Sequence, residues 1–395
     1  MKNRLPSIEL FAGAGGLALG VSRAGFLHHA VVEWDSYAFE TLLENKVNGL
    51  EDMAGWNLIP GDVRSVDYAY FADKIDLVCG GPPCQPFSLG GRHRGHLDKR
   101  DMFPTSAEVV REVRPKALLF ENVPGLLRKS FKDYIDYVCL RFGFPEVQGN
   151  ADEEWPDHLK RLRDYEKSGK RDGLWYDVRR YRLNAANYGV PQKRERVFIV
   201  GFRGDLGMQW SPPTETHSKL ALAWSQREDG EYWGRHRVRR KERIIPGKSA
   251  KMTDREIASA KETVPWQTVR DAICDLPQPT EAGSREFLNH VLIPGARSYA
   301  GHTGSPIDEP AKTLKAGVHG VPGGENMVRF ADESIRYFTV RESARLQCFP
   351  DEFRFHGCWG EVMRQLGNAV PVQLAEVVAR SVAERLRHVS TPSNE

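Results

Sequence analysis

The sequence predicts an α/β protein built on a parallel sheet with crossover helices, followed by a smaller second domain. Short apolar runs end in Gly, Asp or Glu and are separated by segments of helical length, the pattern of βαβ units. A glycine-rich turn follows the first run directly, as at the start of a nucleotide-binding unit. After Gly201 the character changes, with frequent Trp, Pro, Gly and Arg and fading helical periodicity.

The apolar runs cover residues 7–11, 29–32, 75–79, 117–120 and 196–201, and each leads into a polar or glycine-rich loop. Ligands of open α/β sheets sit outside the carboxyl ends of the strands, so these loops are where chemistry is expected. The charged stretch 151–170 has little apolar periodicity and is expected to be a surface insertion. A second domain is expected over 204–338. Residues 339–395 should then return to the first domain, 1–203. Leu374, Val377, Val378, Val382 and Leu386 recur at helical spacing. This terminal helix is expected to pack near the N-terminal strand.

At 395 residues the chain can bury a substantial core and form two domains. Its 40% hydrophobic and 28% charged residues exclude a disordered polymer, while 36 Gly and 24 Pro indicate many loops. The net charge of +3 decides nothing about partners, because a basic face can hide in a neutral total. Locally, 235–251 carries Arg235, Arg237, Arg239, Arg240, Lys241, Arg243, Lys248 and Lys251 against Glu242 alone. The 6 cysteines form no CxxC pair and describe neither a disulfide framework nor a zinc site, so no metal and a reducing compartment are expected. Glu9 interrupts the apolar N-terminal stretch, which reads as strand and turn rather than signal peptide. No apolar run approaches the ~20 residues that span a bilayer. A cytoplasmic protein is expected.

Gly13-Ala14-Gly15-Gly16-Leu17-Ala18 matches the dinucleotide fingerprint, with Glu33 at the end of the second run placed to accept ribose hydroxyls. Trp34 beside it can stack on an adenine. Asp62, after Ile59-Pro60-Gly61, suits an adenine amino group or, equally, a helix N-cap. In Gly80-Gly81-Pro82-Pro83-Cys84-Gln85-Pro86-Phe87-Ser88, Cys79 falls inside the apolar run and reads as a core residue, whereas Cys84 lies past the strand end among prolines. A cysteine held rigidly toward a ligand suits a nucleophile, given positive groups to favour its thiolate. Glu121 again places a carboxylate at a strand end. Gln192-Lys193-Arg194-Glu195-Arg196 can aim two arginines at one site or form a salt-bridged surface strand.

Together these residues closely resemble the DNA (cytosine-5)-methyltransferase family. Its motifs occur in order: FAGAGG, the acidic Glu33, Asp62, PPCQPFS, ENV, QKRERVFIVG, RESARLQCFP and GNAVP, over residues 7–201 and 339–386. The resemblance implies an S-adenosylmethionine-dependent methyltransferase fold, a Rossmann-like mixed sheet with helices on both faces, plus a smaller irregular target-recognition domain. It implies Cys84 as nucleophile toward C6 of a flipped-out cytosine, with Glu121, Arg194 and Arg196 as its catalytic partners. Phe11, Ala12, Gly13, Gly15, Gly16, Glu33, Trp34, Asp62, Val63, Gly81, Pro83, Asn368 and Val370 are implied around S-adenosylmethionine. Gln85, Ser88, Arg92, Arg94, Thr313 and Leu314 are implied at double-stranded DNA, and the glycines of 315–324 would permit close approach. The implied enzyme is a monomer of bacterial or phage type without added regulatory domains, and a companion restriction endonuclease acts on the same site without stable binding. An RNA cytosine methyltransferase keeps the same loops but leaves the basic segment unexplained. A nicotinamide-dependent oxidoreductase explains Glu33 but not Pro83-Cys84-Gln85. A non-catalytic DNA-binding module leaves Cys84, Glu121 and Arg196 without purpose.

Overall fold

The alternation of apolar runs with helical segments folds into a sheet whose two faces are both covered, as a buried sheet requires. The structure, a computed structural model, describes residues 4–83, 101–150, 152–247, 252–279, 286–300, 302–316 and 326–389. Its main sheet contains β1 (Leu5–Leu10), β2 (Phe26–Glu33), β3 (Leu58–Pro60), β4 (Leu77–Gly80), β5 (Ala117–Asn122), β6 (Tyr176–Asn184) and β7 (Glu195–Arg203). The strand order is β3-β2-β1-β4-β5-β7-β6. Strands β1 to β5 pair in parallel. By contrast β7 runs antiparallel to both β5 and β6. The parallel strands read from the apolar runs are thus joined by a reversed pair, and the sheet is mixed as the family resemblance implies. Because β7 is reversed, its first residues, not its last, lie level with the end of β5: Val197 pairs with Asn122.

Helices α1 (Gly16–Arg23), α2 (Ser36–Val47), α3 (Phe103–Val113), α4 (Lys132–Gly143) and α5 (Trp155–Lys167) accompany this sheet. One face, with Ile8, Leu10, Val78, Leu118 and Phe120, buries against α3 and α4. The α5 helix contributes Leu159 and Leu162 to the same core. The stretch expected as a bare surface insertion is thus half a core element: its apolar residues are few but share one helical face, which a charge count obscures.

Beyond Arg203 come short helices α6 (Lys219–Ser225), α7 (Glu231–Arg235), α8 (Asp254–Lys261) and α9 (Val269–Ile273), with two small sheets. These contain β8 (His217–Ser218) with β9 (Val264–Pro265), and β10 (Ser305–Pro306), β11 (Met327–Arg329) and β12 (Ile335–Tyr337). The chain then returns through α10 (Val340–Leu346), α11 (Trp359–Asn368) and α12 (Val372–Val389). On the second face of the main sheet, Leu77, Cys79, Ala117 and Leu119 meet Leu374, Val378, Val382 and Leu386 of α12. Against α1 the approach is very close, since a Cβ added at Gly20 would lie 2.4 Å from the Ala375 Cβ and 2.6 Å from the Val372 carbonyl oxygen. The terminal helix therefore covers α1 and the sheet face, while β1 itself is an interior strand paired on both sides. No helix among the described residues is long and apolar enough to cross a membrane.

Candidate active site

The first loop places its residues by backbone conformation. Phe11 takes φ +57°, left-handed in a non-glycine residue at the end of β1, and Gly13 follows at +55°. Gly13 donates its amide to Oε2 of Glu33 at 2.6 Å, and Asp35 donates to Oε1 at 2.7 Å. Each carboxylate oxygen keeps capacity for a further donor such as a ribose hydroxyl. Burial raises the Glu33 pKa, opposed by these amide bonds. Trp34 is 76% exposed, an indole face open for stacking. Only Gly13 among the loop's conspicuous glycines faces open space. A Cβ at Gly15 would meet Leu42 Cδ2 at 2.7 Å, and one at Gly16 would meet the Val370 carbonyl at 2.3 Å. Packing alone thus requires glycine at Gly15 and Gly16. Ala12 and Val63 are buried.

Asp62 caps the short turn Val63–Ser65, accepting from the Arg64 amide at 2.9 Å, and pairs with the Arg64 guanidinium at 2.5 Å. That bond holds its pKa down. Of the two roles open for Asp62, the cap is the one visible in the fold.

The candidate catalytic residues meet where β5 and β7 pair. Arg196 Nε stands 2.6 Å from Glu121 Oε1, and both side chains are buried. The contact is a close ion pair, and among the described residues Oε1 has no further hydrogen-bond donor. Burial raises the Glu121 pKa, against the opposing pull of Arg196 and then Arg194. A Cβ at Gly81 would lie 3.4 Å from Glu121 Oε2, so the bare glycine backbone runs directly over the carboxylate. Asn122 fastens the two loops: its Nδ2 donates to the Pro82 carbonyl at 2.9 Å and its Oδ1 accepts from the Val123 amide at 2.8 Å. Pro83, exposed, accepts from the Met102 amide at 3.2 Å. Cys84, Gln85, Ser88, Arg92 and Arg94 lie outside the described residues, as do Lys248, Lys251 and the glycines from Gly317 to Gly324.

Arg194 does something different from Arg196. Fully buried, it donates to the carbonyls of Leu314 at 2.9 Å, Gly367 at 2.6 Å and Ala369 at 2.8 Å. Its guanidinium ties three chain segments together instead of pointing at a substrate. Thr313 donates its hydroxyl to the Lys193 carbonyl at 2.8 Å. Leu314 is buried, with its amide on Gln192 Oε1 at 3.0 Å. The Leu314 side chain fills a core, and the segment is anchored to the residues that lead into β7. Gln192, which the sequence did not single out, also donates to the Leu346 carbonyl at 3.2 Å. A Cβ at Gly367 would meet the Ala316 nitrogen at 2.2 Å, giving the Gly367-Asn368 turn a packing reason. Asn368 is exposed and Val370 buried beside it.

The basic stretch is also less cationic than its sequence. Arg235 pairs with Asp271 at 2.7 Å, Arg240 pairs with Glu228, and Arg243 donates to the Glu228 carbonyl at 2.6 Å. Acids from outside the stretch thus offset two of its arginines, Arg235 and Arg240, which local counting misses.

A buried titratable group lies beneath the glycine loop, where Glu9, His28 and Cys79 bring ligand-type atoms within 4.8 Å. Both His28 nitrogens are engaged, with Ser7 Oγ and the Ala18 carbonyl, each at 3.0 Å. Burial pushes Glu9 up to about 8 and His28 down to about 4. Between those values both are neutral, so their 4.0 Å contact is not an ion pair.

A sheet edge that gathers a glycine turn, a tethered acidic residue and a buried carboxylate–guanidinium pair marks an α/β enzyme of group transfer. The chain belongs to the C-5 cytosine-specific DNA methylase family, whose description matches residues 5–143 and 156–384, and it is a DNA cytosine-5-methyltransferase. The match runs through 204–338, which motif comparison had left outside, and omits 144–155 just before α5. Type II methyltransferase M.NgoMIV of Neisseria gonorrhoeae is 31% identical, covering 96% of this chain and 98% of that one. Type II methyltransferase M.Eco47II of Escherichia coli is 31% identical over 97% of this chain and 80% of its own. The crystal structure of the S. pombe Dnmt2 methyltransferase shares the fold, with TM-score 0.54 at 16% identity, over 98% of this chain and 100% of that one.

Proposed function

We propose that this enzyme methylates C5 of a cytosine flipped out of duplex DNA, using S-adenosylmethionine and a temporary bond between Cys84 and C6. The buried Glu121–Arg196 pair at a strand end, directly under Gly81, carries the reading: a carboxyl kept from water beside the loop that leads into Cys84 is placed to meet a polar group of the substrate. The residues fit the cofactor. Open space at Gly13, the amide-tethered Glu33 and the exposed Trp34 suit a nucleoside, with Phe11, Asp62, Val63, Gly81, Pro83, Asn368 and Val370 around it. When bound, S-adenosylmethionine supplies an electrophilic methyl group on a sulfonium.

The chain's residues do the rest. Cys84 as thiolate adds to C6, and the ring's electron pair moves toward N3. Glu121 hydrogen-bonds N3, where a proton is taken up as negative charge develops, and accepts from the exocyclic amine. Arg196 holds that carboxyl in place and stabilises it once ionised. C5 becomes an enamine carbon able to take the methyl group, after which loss of the C5 proton expels Cys84. Arg194 acts as a positioning residue, locking the segments around the site.

Extrusion costs a few kcal/mol of lost stacking and pairing. We assign closure over the DNA to the loop carrying Gln85, Ser88, Arg92 and Arg94, and base reading to the recognition domain at 204–338. The Type II relatives support a bacterial modification enzyme working in the cytoplasm beside a restriction endonuclease of the same site. The test uses 5-fluorocytosine duplex with cofactor, where fluorine replaces the C5 proton whose loss would expel Cys84. Wild-type protein should become covalently attached and Cys84→Ser should not; failure of the wild type to attach overturns the mechanism.

A further inference from the structure

The turn after Glu121 carries a surface that the reaction above leaves unused. Residues 123–132, Val-Pro-Gly-Leu-Leu-Arg-Lys-Ser-Phe-Lys, contain three cations and no acid. Arg128, Lys129 and Lys132 are all exposed, and among the described residues none of the three has a carboxylate partner. The next acid along, Asp133, is drawn to Arg163 at 2.7 Å. This contrasts with the basic stretch of the recognition domain, where distant carboxylates occupy Arg235 and Arg240.

The same turn shows water two large apolar groups, Val123 at 46% and Leu127 at 37% exposure, while Leu126 between them is buried as its peg. Asn122 holds this turn to Pro82, so the shelf is fastened to the loop that leads into Cys84. An apolar edge flanked by unpaired cations beside a site for a nucleic-acid base is complementary to a duplex. Cations neutralise phosphates, and small apolar side chains press on sugars and base edges in the minor groove.

We infer that the Val123 to Lys132 turn is a second DNA-docking edge, separate from the recognition segment. Arg128, Lys129 and Lys132 bind the phosphates flanking the target, and Val123 and Leu127 contact the sugar edge beside it. The inference rests on the reading that duplex DNA is the substrate. It places the duplex between two surfaces, so that the base is drawn out over Glu121 from a backbone gripped on both sides.

The test is the salt dependence of affinity for a mixed-sequence DNA duplex, measured on the full chain with S-adenosylhomocysteine present. Each lost phosphate contact lowers the slope of log affinity against log salt by about 0.9, so Arg128→Gln/Lys129→Gln/Lys132→Gln should flatten it by roughly 2–3. The variant Val123→Ser/Leu127→Ser should bind more weakly with the slope unchanged. Both must bind S-adenosylhomocysteine as the wild type does, which shows that they are folded; the single variant Lys129→Gln, expected to lower the slope by about 0.9, carries the test if the triple is not. A wild-type protein that neither binds nor methylates duplex DNA overturns the enzymatic reading and this inference with it. A wild type that methylates DNA, with folded charge variants matching its slope, overturns this inference alone.

Discussion

Replacing Arg194 with Met tests whether its guanidinium is structural fastening or chemistry. The side chain is fully buried and donates to three carbonyls, at 2.9, 2.6 and 2.8 Å, on Leu314, Gly367 and Ala369. Met fills much of the volume but donates nothing, leaving three buried acceptors short of a partner at roughly 1–3 kcal/mol each. Relief of the desolvation that burial imposes on the guanidinium returns part of this, so the expected net loss is about 3–5 kcal/mol. Urea unfolding followed by tryptophan fluorescence measures it, with calorimetry of S-adenosylhomocysteine binding beside it. Because this residue bridges the segments that carry Leu314 and Ala369, the transition should also broaden. A variant within about 1 kcal/mol of wild type that has nonetheless lost turnover would refute the argument and return Arg194 to the chemistry.

Two further outcomes follow from other buried sites. Glu9, pushed up to about 8 from a model-peptide 4.5 by burial, holds in the folded state a proton that the unfolded chain releases. Its stabilisation is complete below pH 4.5 and is lost as pH rises toward 8, by up to about 1.4 kcal/mol per pH unit; Glu9→Gln should therefore gain on wild type progressively across that window in urea titrations, and a constant difference would refute it. Gly20→Ala should destabilise by about 1–3 kcal/mol although Ala is the better helix former, because its Cβ would stand 2.5 Å from the Glu376 nitrogen; a rise in the unfolding midpoint would disprove the close α1–α12 contact.

Several strands were legible because a sheet buried on both faces demands continuous apolar runs: β1, β2, β4, β5 and β7 all coincide with such runs. The edge strand β6, Tyr-Asp-Val-Arg-Arg-Tyr-Arg-Leu-Asn, was not, since an edge facing water tolerates arginines. Strand β3 was missed for its brevity, at 3 residues. The helix α5 was hidden by charge although its sparse apolar residues share one face.

At the site, residue types set the chemistry in advance. Glycine after a strand, carboxylates at strand ends and arginines two apart before an apolar run are local patterns with local causes. Which arginine meets Glu121 was settled by the reversal of β7, which carries its opening residues to the ligand edge and gives Arg196 to the carboxylate. Arg194 was taken instead by carbonyls more than a hundred residues away in sequence. Likewise Gly16 is required by Val370, and the charge of Arg235 is cancelled by Asp271. Composition and periodicity act over a few residues, so they determine elements and candidate groups. Partnership between groups depends on long-range packing, and only the folded chain brings those partners within bonding distance.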